Sequence, residues 1–124
     1  MSKLLTVFLS IQQQIRLYHW KTKSYPRHIA SGTLYTTLDS LIDTFIETLQ
    51  GKMDGKRIEY DSISINLYSV DDSEIITILK DFKEFLVTDV EKYLKNGMSN
   101  TDLKNIRDEM LTKLNQTLYL FTLQ

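Results

Sequence analysis

The chain has 124 residues, of which 42% are hydrophobic and 25% are charged, and its formal net charge is −1. This composition is typical of one folded domain and argues against a disordered chain, while the near-zero charge gives no field that would attract DNA or anionic lipid. The absence of cysteine excludes disulfides, a thiol nucleophile and thiolate metal sites. Because the sequence shows neither a convincing secretion signal nor an apolar run long enough for a membrane span, we expect a soluble, cytoplasmic protein without membrane partners.

Apolar residues recur at steps of three and four along most of the chain, which is the period of an amphipathic α-helix. Pro26 suits the first turn of the second helix, and Gly51 is predicted to end it. Asp71 or Asp72 is predicted to begin the third helix, with Glu74 placed to cap its first turn. The predicted helices cover approximately residues 2–22, 27–50, 72–95 and 100–123.

The lengths of the connections predict the topology. Two connections are tight, whereas residues 51–71 lack a helical period and are predicted to form a crossover with a short helix or an extended piece near Ile63–Tyr68. Two helical hairpins joined by a long crossover form the ferritin-like arrangement. The sequence therefore predicts one all-α domain over residues 1–124, a ferritin-like four-helix bundle.

Both histidines and two carboxylates form the candidate site. His19 ends the first predicted helix and His28 opens the second, while Asp43 and Glu47 follow one helical turn apart. Imidazole nitrogen together with carboxylate oxygen is the ligand mixture that non-haem iron accepts. These residues therefore make metal chemistry the leading hypothesis, because the nearby carboxylates favour a ligand role for His19; on spacing alone, His19 as a buried core residue stays an alternative.

The direction in which the polar side chains of the second predicted helix point decides whether one chain alone could form such a site. The polar strip from His28 through Asp43 and Glu47 lies almost opposite the apolar stripe of the helix, at about 100° per residue. These side chains would bind metal only if another surface, most simply a second subunit, covered them. A solvated helix face is the alternative reading, and it is the better one for Asp39. Trp20 is interpreted as a packing residue.

The stretch from Leu17 to Gly51 resembles the Dps-type miniferritins, which carry a His-Trp pair, a second His, and then Asp and Glu fifteen and nineteen residues after it. The matching residues are His19-Trp20, His28, Asp43 and Glu47. The resemblance implies a hollow homododecamer that oxidises ferrous iron with peroxide or oxygen and stores it. It also implies that the histidines of one subunit and the carboxylates of its two-fold partner share each metal site, with zinc as a possible substitute for iron.

Three departures from the family pattern qualify what the resemblance implies. Gly32 occupies the place of an acidic residue that contributes to a second, weaker iron position, so we expect one well-held ion per site and an improved second position in a Gly32→Asp variant. The turn between the histidines is shorter than usual, which could displace His19. The chain starts at its first helix without the Lys-rich tail that many members use on DNA, so we expect no nucleic-acid binding.

Two functions stay open at this point. The preferred one is iron oxidation and storage, in which Trp20 or Tyr18 would intercept stray radical equivalents; whether the protein acts as an enzyme depends on an intact site. The alternative is a ferritin-like structural or binding protein with a degenerate, weakly active metal site, similar to short proteins encoded by large viruses and phages. In both cases the apolar chain end at 119–123 predicts a homo-oligomer.

Overall fold

The structure, a computed structural model, describes residues 1–94 and 96–123. Within these residues the chain is helical and contains no strand, and four helices pack together, which confirms the predicted all-helical class. Helix α2 packs most extensively against α4 and α1, and α3 packs against α4 and α1. None of the described helices is long and apolar enough to cross a membrane. The helices are α1 (Ser2–Lys21), α2 (Tyr25–Lys52), α3 (Glu74–Glu84) and α4 (Thr101–Leu120).

A tight turn joins α1 to α2 and fixes the start of α2. The side chain of Ser24 caps this helix by accepting a hydrogen bond from the backbone N–H of Arg27 over 3.3 Å. Pro26 lies in the first turn, as predicted, because a residue without an N–H is tolerated there. The helix begins at Tyr25, two residues before the predicted start.

The end of α2 differs from the prediction. The helix continues through Gly51 to Lys52, and the left-handed residues that reverse the chain are Asp54, with a φ of 58°, and Gly55, with a φ of 79°. The N–H of Gly55 donates to the carbonyl of Gln50 over 2.9 Å and so satisfies a carbonyl at the helix end. Gly55, not Gly51, is therefore the glycine that ends this helix, because of these two glycines only Gly55 has a positive φ.

The predicted cap of α3 is present. One carboxylate oxygen of Asp71 accepts hydrogen bonds from the backbone N–H groups of Ser73 and Glu74, at 2.9 and 2.8 Å. The carboxylate of Glu74 accepts in return from the backbone N–H of Asp71 over 3.3 Å, which makes the cap reciprocal. These hydrogen bonds, led by the one from the Glu74 backbone, lower the pKa of Asp71 to about 2.

The third predicted helix, 72–95, was too long as a single α-helix. The α-helix begins at Glu74, two to three residues after the predicted start at Asp71 or Asp72, and ends at Glu84; a π-helical turn (Phe85–Asp89) and a 3₁₀ turn (Val90–Tyr93) continue it. The N–H of Val90 donates to the carbonyl of Phe85, so one extra residue is accommodated in this turn. The wider turn keeps Phe85, Leu86 and Val90 buried, which explains why the apolar pattern reads as an uninterrupted helix. Residue 95, the predicted end, lies outside the described residues.

The crossover runs back along the bundle to α3. Residues 56–70 contain neither helix nor strand, so of the two predicted alternatives near Ile63–Tyr68 the short helix is not formed. At its start the backbone N–H of Ile58 donates to the side chain of Gln50 over 3.0 Å. Near its end the side chain of Gln14 both donates to the carbonyl of Tyr68 over 2.7 Å and accepts from its N–H over 2.9 Å. The crossover is thus held at two points against α2 and α1.

An aromatic cluster at the centre of the core joins three helical segments. Phe8 of α1 is 1% exposed, and its ring makes edge-to-face contacts with the rings of Phe45, Phe82 and Phe85, with centroids 5.6, 6.2 and 6.4 Å away. Such contacts stabilise the fold beyond the burial of apolar area alone. This cluster fixes α1 against α2, which is the pair of helices that carries the candidate site.

Candidate metal site

The fold brings the two histidines together at the α1–α2 turn. His19 lies near the end of α1 and His28 lies in the first turn of α2, and their rings stack with centroids 3.9 Å apart and planes inclined by 14°. The edge of the stack meets Tyr35, whose ring centroid is 5.2 Å from that of His19. The shorter turn between the histidines therefore leaves them in direct contact.

Hydrogen bonds fix the tautomer of both imidazoles. Nδ1 of His28 lies 3.0 Å from the carbonyl oxygen of His19, which only accepts, so this nitrogen carries the hydrogen. The hydroxyl of Ser31 donates to the carbonyl of His28 over 3.2 Å, so its oxygen accepts from Nδ1 of His19 over 3.1 Å. In the neutral form of either ring the lone pair is therefore on Nε2, the arrangement that metal-binding histidines show when their other nitrogen is held by the protein.

The surroundings of His19 favour its neutral form. The ring is half-buried, and this burial lowers its pKa below the usual value of 6.5, an effect to which the charge of the stacked His28 adds. His28 itself is exposed. Both histidines line a depression of about 460 Å³ that is also lined by Gly32, Thr33 and Thr36.

The lowered pKa of His19 predicts that the folded protein loses stability in acid. Because the pKa of His19 is lower in the folded chain than in the unfolded one, its contribution is present above about pH 6.5 and is lost as the pH falls through the folded value. The thermal midpoint of the wild type should therefore decrease more between pH 7 and pH 5 than that of a His19→Gln variant. Equal pH profiles for the two proteins would show that His19 is not responsible.

Gly32 makes room for the His19 ring. A Cβ atom added at Gly32 would lie 2.9 Å from Cε1 and 3.3 Å from Nδ1 of His19, closer than atoms approach without displacement. The ring has little freedom to move, since it is stacked on His28 and hydrogen-bonded to Ser31. The expectation that Gly32→Asp would improve a second metal position is therefore revised, because the new side chain would first displace the ring of His19.

The prediction that His19 and His28 bind zinc can be tested here: Gly32→Asp and the minimal Gly32→Ala change should then weaken binding by roughly 10–100-fold, the range typical when the support of a ligand is lost. Asn105→Asp, at an exposed position of α4 away from the proposed contact between α2 helices, serves as the control and should leave zinc affinity unchanged. Titration calorimetry with zinc measures the affinity, and histidine ring NMR signals report the stack. Tighter binding by Gly32→Asp would restore the original expectation.

The candidate carboxylates lie elsewhere on the same helix. Asp43 and Glu47 are exposed and line a groove of about 460 Å³ together with Leu9 and Tyr60. Within the described residues, neither carboxylate takes part in a hydrogen bond or an ion pair. They therefore face outward with free oxygens, as the polar strip predicted.

Asp39 differs from these two carboxylates. One oxygen of Asp39 accepts from Nη2 of Arg16 over 2.9 Å and the other accepts from the side chain of Gln12 over 3.1 Å. The Arg16 guanidinium also lies 4.8 Å from the centre of the Tyr35 ring. Asp39 thus joins α2 to α1, and it is a structural residue rather than part of a merely solvated face.

One copy of the chain does not assemble the predicted site. His28 and Asp43 are fifteen residues apart on α2, which corresponds to about 22 Å along the helix axis. Among the described residues of this single chain, no three His, Asp or Glu side chains form a group that could hold a metal ion. A site that includes all four predicted residues therefore requires a second copy.

The two neighbouring aromatic residues have different environments. Trp20 is 68% exposed, so the interpretation that it packs within its own bundle is wrong. Tyr18 is buried, and its hydroxyl donates to a carboxylate oxygen of Asp72 over 2.6 Å and accepts from Arg27 over 3.2 Å. Burial raises the pKa of Tyr18, so its phenol stays protonated and ties α1 to the end of the crossover.

Sequence reasoning did not identify Ser31 or Tyr35 as parts of the site. Ser31 is fully buried and orients His19, whereas Tyr35 closes one side of the stack. The signal that could have identified this contact is the run Ala30-Ser31-Gly32, because three successive small residues on a helix allow a ring from another element to approach closely.

Comparisons with known proteins identify a family and no characterised relative. No curated protein and no solved structure matches the chain. One family pattern, described as a family of unknown function (DUF5856), matches residues 19–121. The matched range starts at His19 and includes His28, Asp43 and Glu47. Because it covers most of the chain, the protein belongs to the DUF5856 family.

Proposed function

We propose that this protein is a ferritin-like, Dps-type iron protein that binds and oxidises Fe²⁺ at sites shared between two copies of the chain. The observation that carries the proposal is the pair of stacked imidazoles whose Nδ1 atoms are both engaged within the protein. Neither Nε2 atom takes part in a hydrogen bond within the described residues, and both histidines line one accessible depression. Histidine is the commonest metal ligand, and this fixed tautomer is the form that binds metal.

The remaining ligands would come from the second copy. In an antiparallel arrangement of two α2 helices, His19 and His28 of one copy lie against Asp43 and Glu47 of the other. Two nitrogens and carboxylate oxygens suit Fe²⁺, and zinc would compete for the same donors. Free carboxylates at one end of α2 and free imidazoles at the other are what such a two-fold arrangement requires.

The surface of α2 supports this association. Exposed small residues, including Thr36 and Ser40, lie between the two ends of the site and would allow a second helix to approach closely. Large apolar side chains are exposed at the histidine end, where Trp20 and Ile29 are 68% and 52% exposed. Their burial would favour the two-fold dimer, and the resemblance extends this dimer to a closed dodecameric shell.

The chemistry proposed for the site is one-electron oxidation of each bound Fe²⁺ by dioxygen or peroxide, followed by deposition of Fe³⁺ mineral in the shell. Because Gly32 offers no oxygen ligand, each site should hold one ion well and a second ion weakly. Neutral imidazole is needed for binding, so affinity for iron should fall in acid.

Gly32 also supports the alternative function, a ferritin-like binding or structural protein without efficient oxidation. The His19 ring occupies the space next to Gly32, so the acidic residue of the resembled family could not be accommodated without moving a ligand. Under this alternative the protein would bind a single zinc or iron per site and show slow oxidation.

Aerobic addition of Fe²⁺ to the purified protein tests the proposal. The absorbance of ferric product should rise faster than in buffer, zinc should inhibit the rise, and light scattering should show a particle larger than a dimer. Zinc-sensitive binding without faster oxidation would favour the alternative. A protein that remains a monomer at micromolar concentration would contradict the shared site, since one copy lacks the full ligand set.

A further inference from the structure

A cavity of about 360 Å³ lies between α1, the later part of the crossover and the α3 segment. This volume falls within the range of small-molecule sites, which is about 300–1,000 Å³. None of the four candidate metal ligands lines the cavity, and no residue of α2 does so. The cavity is therefore a feature of the fold that the proposed iron site does not use.

The inner surface of the cavity is apolar. Ile11, Phe82 and Phe85 line it and are buried, so they form its floor. The half-buried side chains of Val7 and Ile78 line it as well. The rings of Phe82 and Phe85 are nearly parallel, with planes inclined by 16° and centroids 6.3 Å apart. Because aromatic rings attract a further ring beyond the burial of area alone, this floor favours a ligand with an aromatic body.

The walls of the cavity are fixed by the fold. On the crossover side, Tyr68 lines the cavity, and its backbone is held by the buried amide of Gln14, which donates over 2.7 Å and accepts over 2.9 Å. On the other side the cavity meets Phe85, the first residue of the π-helical turn. Such turns are frequent at functional sites. The cavity is therefore built by two features that the packing of a plain helical bundle does not require.

Three polar side chains around the cavity are free. Ser10, Asn66 and Asp81 line it, and none of these side chains takes part in a hydrogen bond or an ion pair with the described part of the chain. Asn66 and Asp81 are exposed, so they lie at its mouth. Lys80 and Lys83 flank Asp81 in the sequence but do not line the cavity, and no other Lys or Arg that the structure describes does so. The carboxylate of Asp81 therefore sets the charge of the mouth.

We propose that this cavity binds a small organic cation, an amine with an aromatic body. The body would pack on Phe82 and Phe85, and the ammonium would pair with the carboxylate of Asp81. An ammonium group has three donors and no acceptor, so the oxygens of Ser10 and Asn66 would accept its remaining hydrogen bonds. This arrangement satisfies every group that the ligand carries into the cavity.

The charge at the mouth excludes the opposite class of amphiphile. An aromatic or aliphatic carboxylate of the same size would fit the apolar floor equally well. Its charged end would then lie beside Asp81 without a basic partner, and like charges at short range repel each other. The cavity should therefore distinguish an amine from an acid with the same apolar body.

A pair of matched probes tests this distinction. Tryptamine and indole-3-propionate share the indole ring and the length of the linker, and they differ in the charge of the end group. In NMR titrations with a chelator present, tryptamine should shift the amide signals of Val7, Ile11 and Ile78 and reach saturation. Indole-3-propionate should bind several-fold more weakly or not at all.

Three variants assign the binding to the cavity. Asp81→Asn should weaken tryptamine binding by about two- to five-fold, since pairing with an exposed carboxylate is a modest interaction, and should not weaken binding of the acid. Glu84→Gln is the matched control, because it removes the same charge from an exposed position of α3 that does not line the cavity. It should leave both affinities unchanged. Ser10→Phe adds a ring to the cavity without removing a core contact, and should prevent binding of both probes.

Several outcomes would overturn the proposal. Equal affinity for the two probes, or tryptamine shifts that do not saturate, would show that the cavity is not a cation site. Equal losses in Glu84→Gln and Asp81→Asn would assign the effect to the net charge of the chain. Cavity signals that shift with protein concentration in the absence of a probe would mean that a second copy fills the cavity. Because the titrations contain no metal, failure of the iron proposal would leave these results unaffected.

Discussion

Replacing Asp43 with Asn and Glu47 with Gln is expected to abolish accelerated iron oxidation and to weaken zinc binding by roughly 100-fold or more. Loss of supporting groups alone typically costs 10–100-fold in metal affinity, and here the proposed oxygen ligands themselves are removed. Amide groups keep the size of both side chains, so the change tests charge and metal affinity rather than packing. Ferric absorbance after Fe²⁺ addition and zinc calorimetry measure the effect.

The fold should survive this double change. Both carboxylates are exposed and take part in no hydrogen bond or ion pair within the described residues, so circular dichroism and the thermal midpoint should match those of the wild type. Asp39→Asn is the matched control on the same helix. It breaks the ion pair with Arg16, costs about 1 kcal/mol or less in stability, and should leave iron oxidation intact. Full oxidation by the double variant would contradict the proposed ligands.

Phe8→Ala is expected to have the largest effect on stability. The side chain is 1% exposed and contacts the rings of Phe45, Phe82 and Phe85, so its removal leaves a cavity where α1 meets α2 and the third helical segment. Changes of this kind lower the free energy of unfolding by about 3–5 kcal/mol. Chemical denaturation followed by circular dichroism measures the change.

Two further substitutions serve as controls for the effect expected of Phe8→Ala. Phe8→Leu keeps most of the buried volume and should cost less than Phe8→Ala, whereas Val87→Ala, at a side chain that is 55% exposed, should change stability by less than about 0.5 kcal/mol. Similar losses for Phe8→Ala and Val87→Ala would mean that the aromatic cluster does not hold the helices together.

The sequence predicted the helices well because their signals are local. Ser24 and Pro26 at the start of α2, and Asp71 with Glu74 at the start of α3, act on backbone groups within one turn of themselves. The end of α2 was placed too early because Gly51 tolerates a helix, while the positive φ is needed only at Gly55. The π-helical turn at Phe85–Asp89 could not be recognised from the spacing of apolar residues, because apolar side chains stay buried before and after it.

The candidate site was predictable only in part. Spacing and facing placed Asp43 and Glu47 on an outward strip, which the structure shows as exposed and unpaired. The stack of His19 on His28 depends on the angle at which two helices meet, and on the missing side chain at Gly32. Such contacts between elements are not encoded in the period of either helix, so the sequence indicated the residues but not their geometry.

The exposure of Trp20 also provides a spectroscopic probe. It is the only tryptophan in the chain, so the indole emission, excited selectively over that of the seven tyrosines, arises at one place, beside His19 in sequence. A ring that is 68% exposed emits at long wavelength in the isolated chain, and docking of a second copy on the histidine end would move the emission maximum to the blue. Ferric or cupric ions at the imidazoles would quench the same emission. One fluorescence titration therefore reports subunit association by wavelength and metal occupancy by intensity.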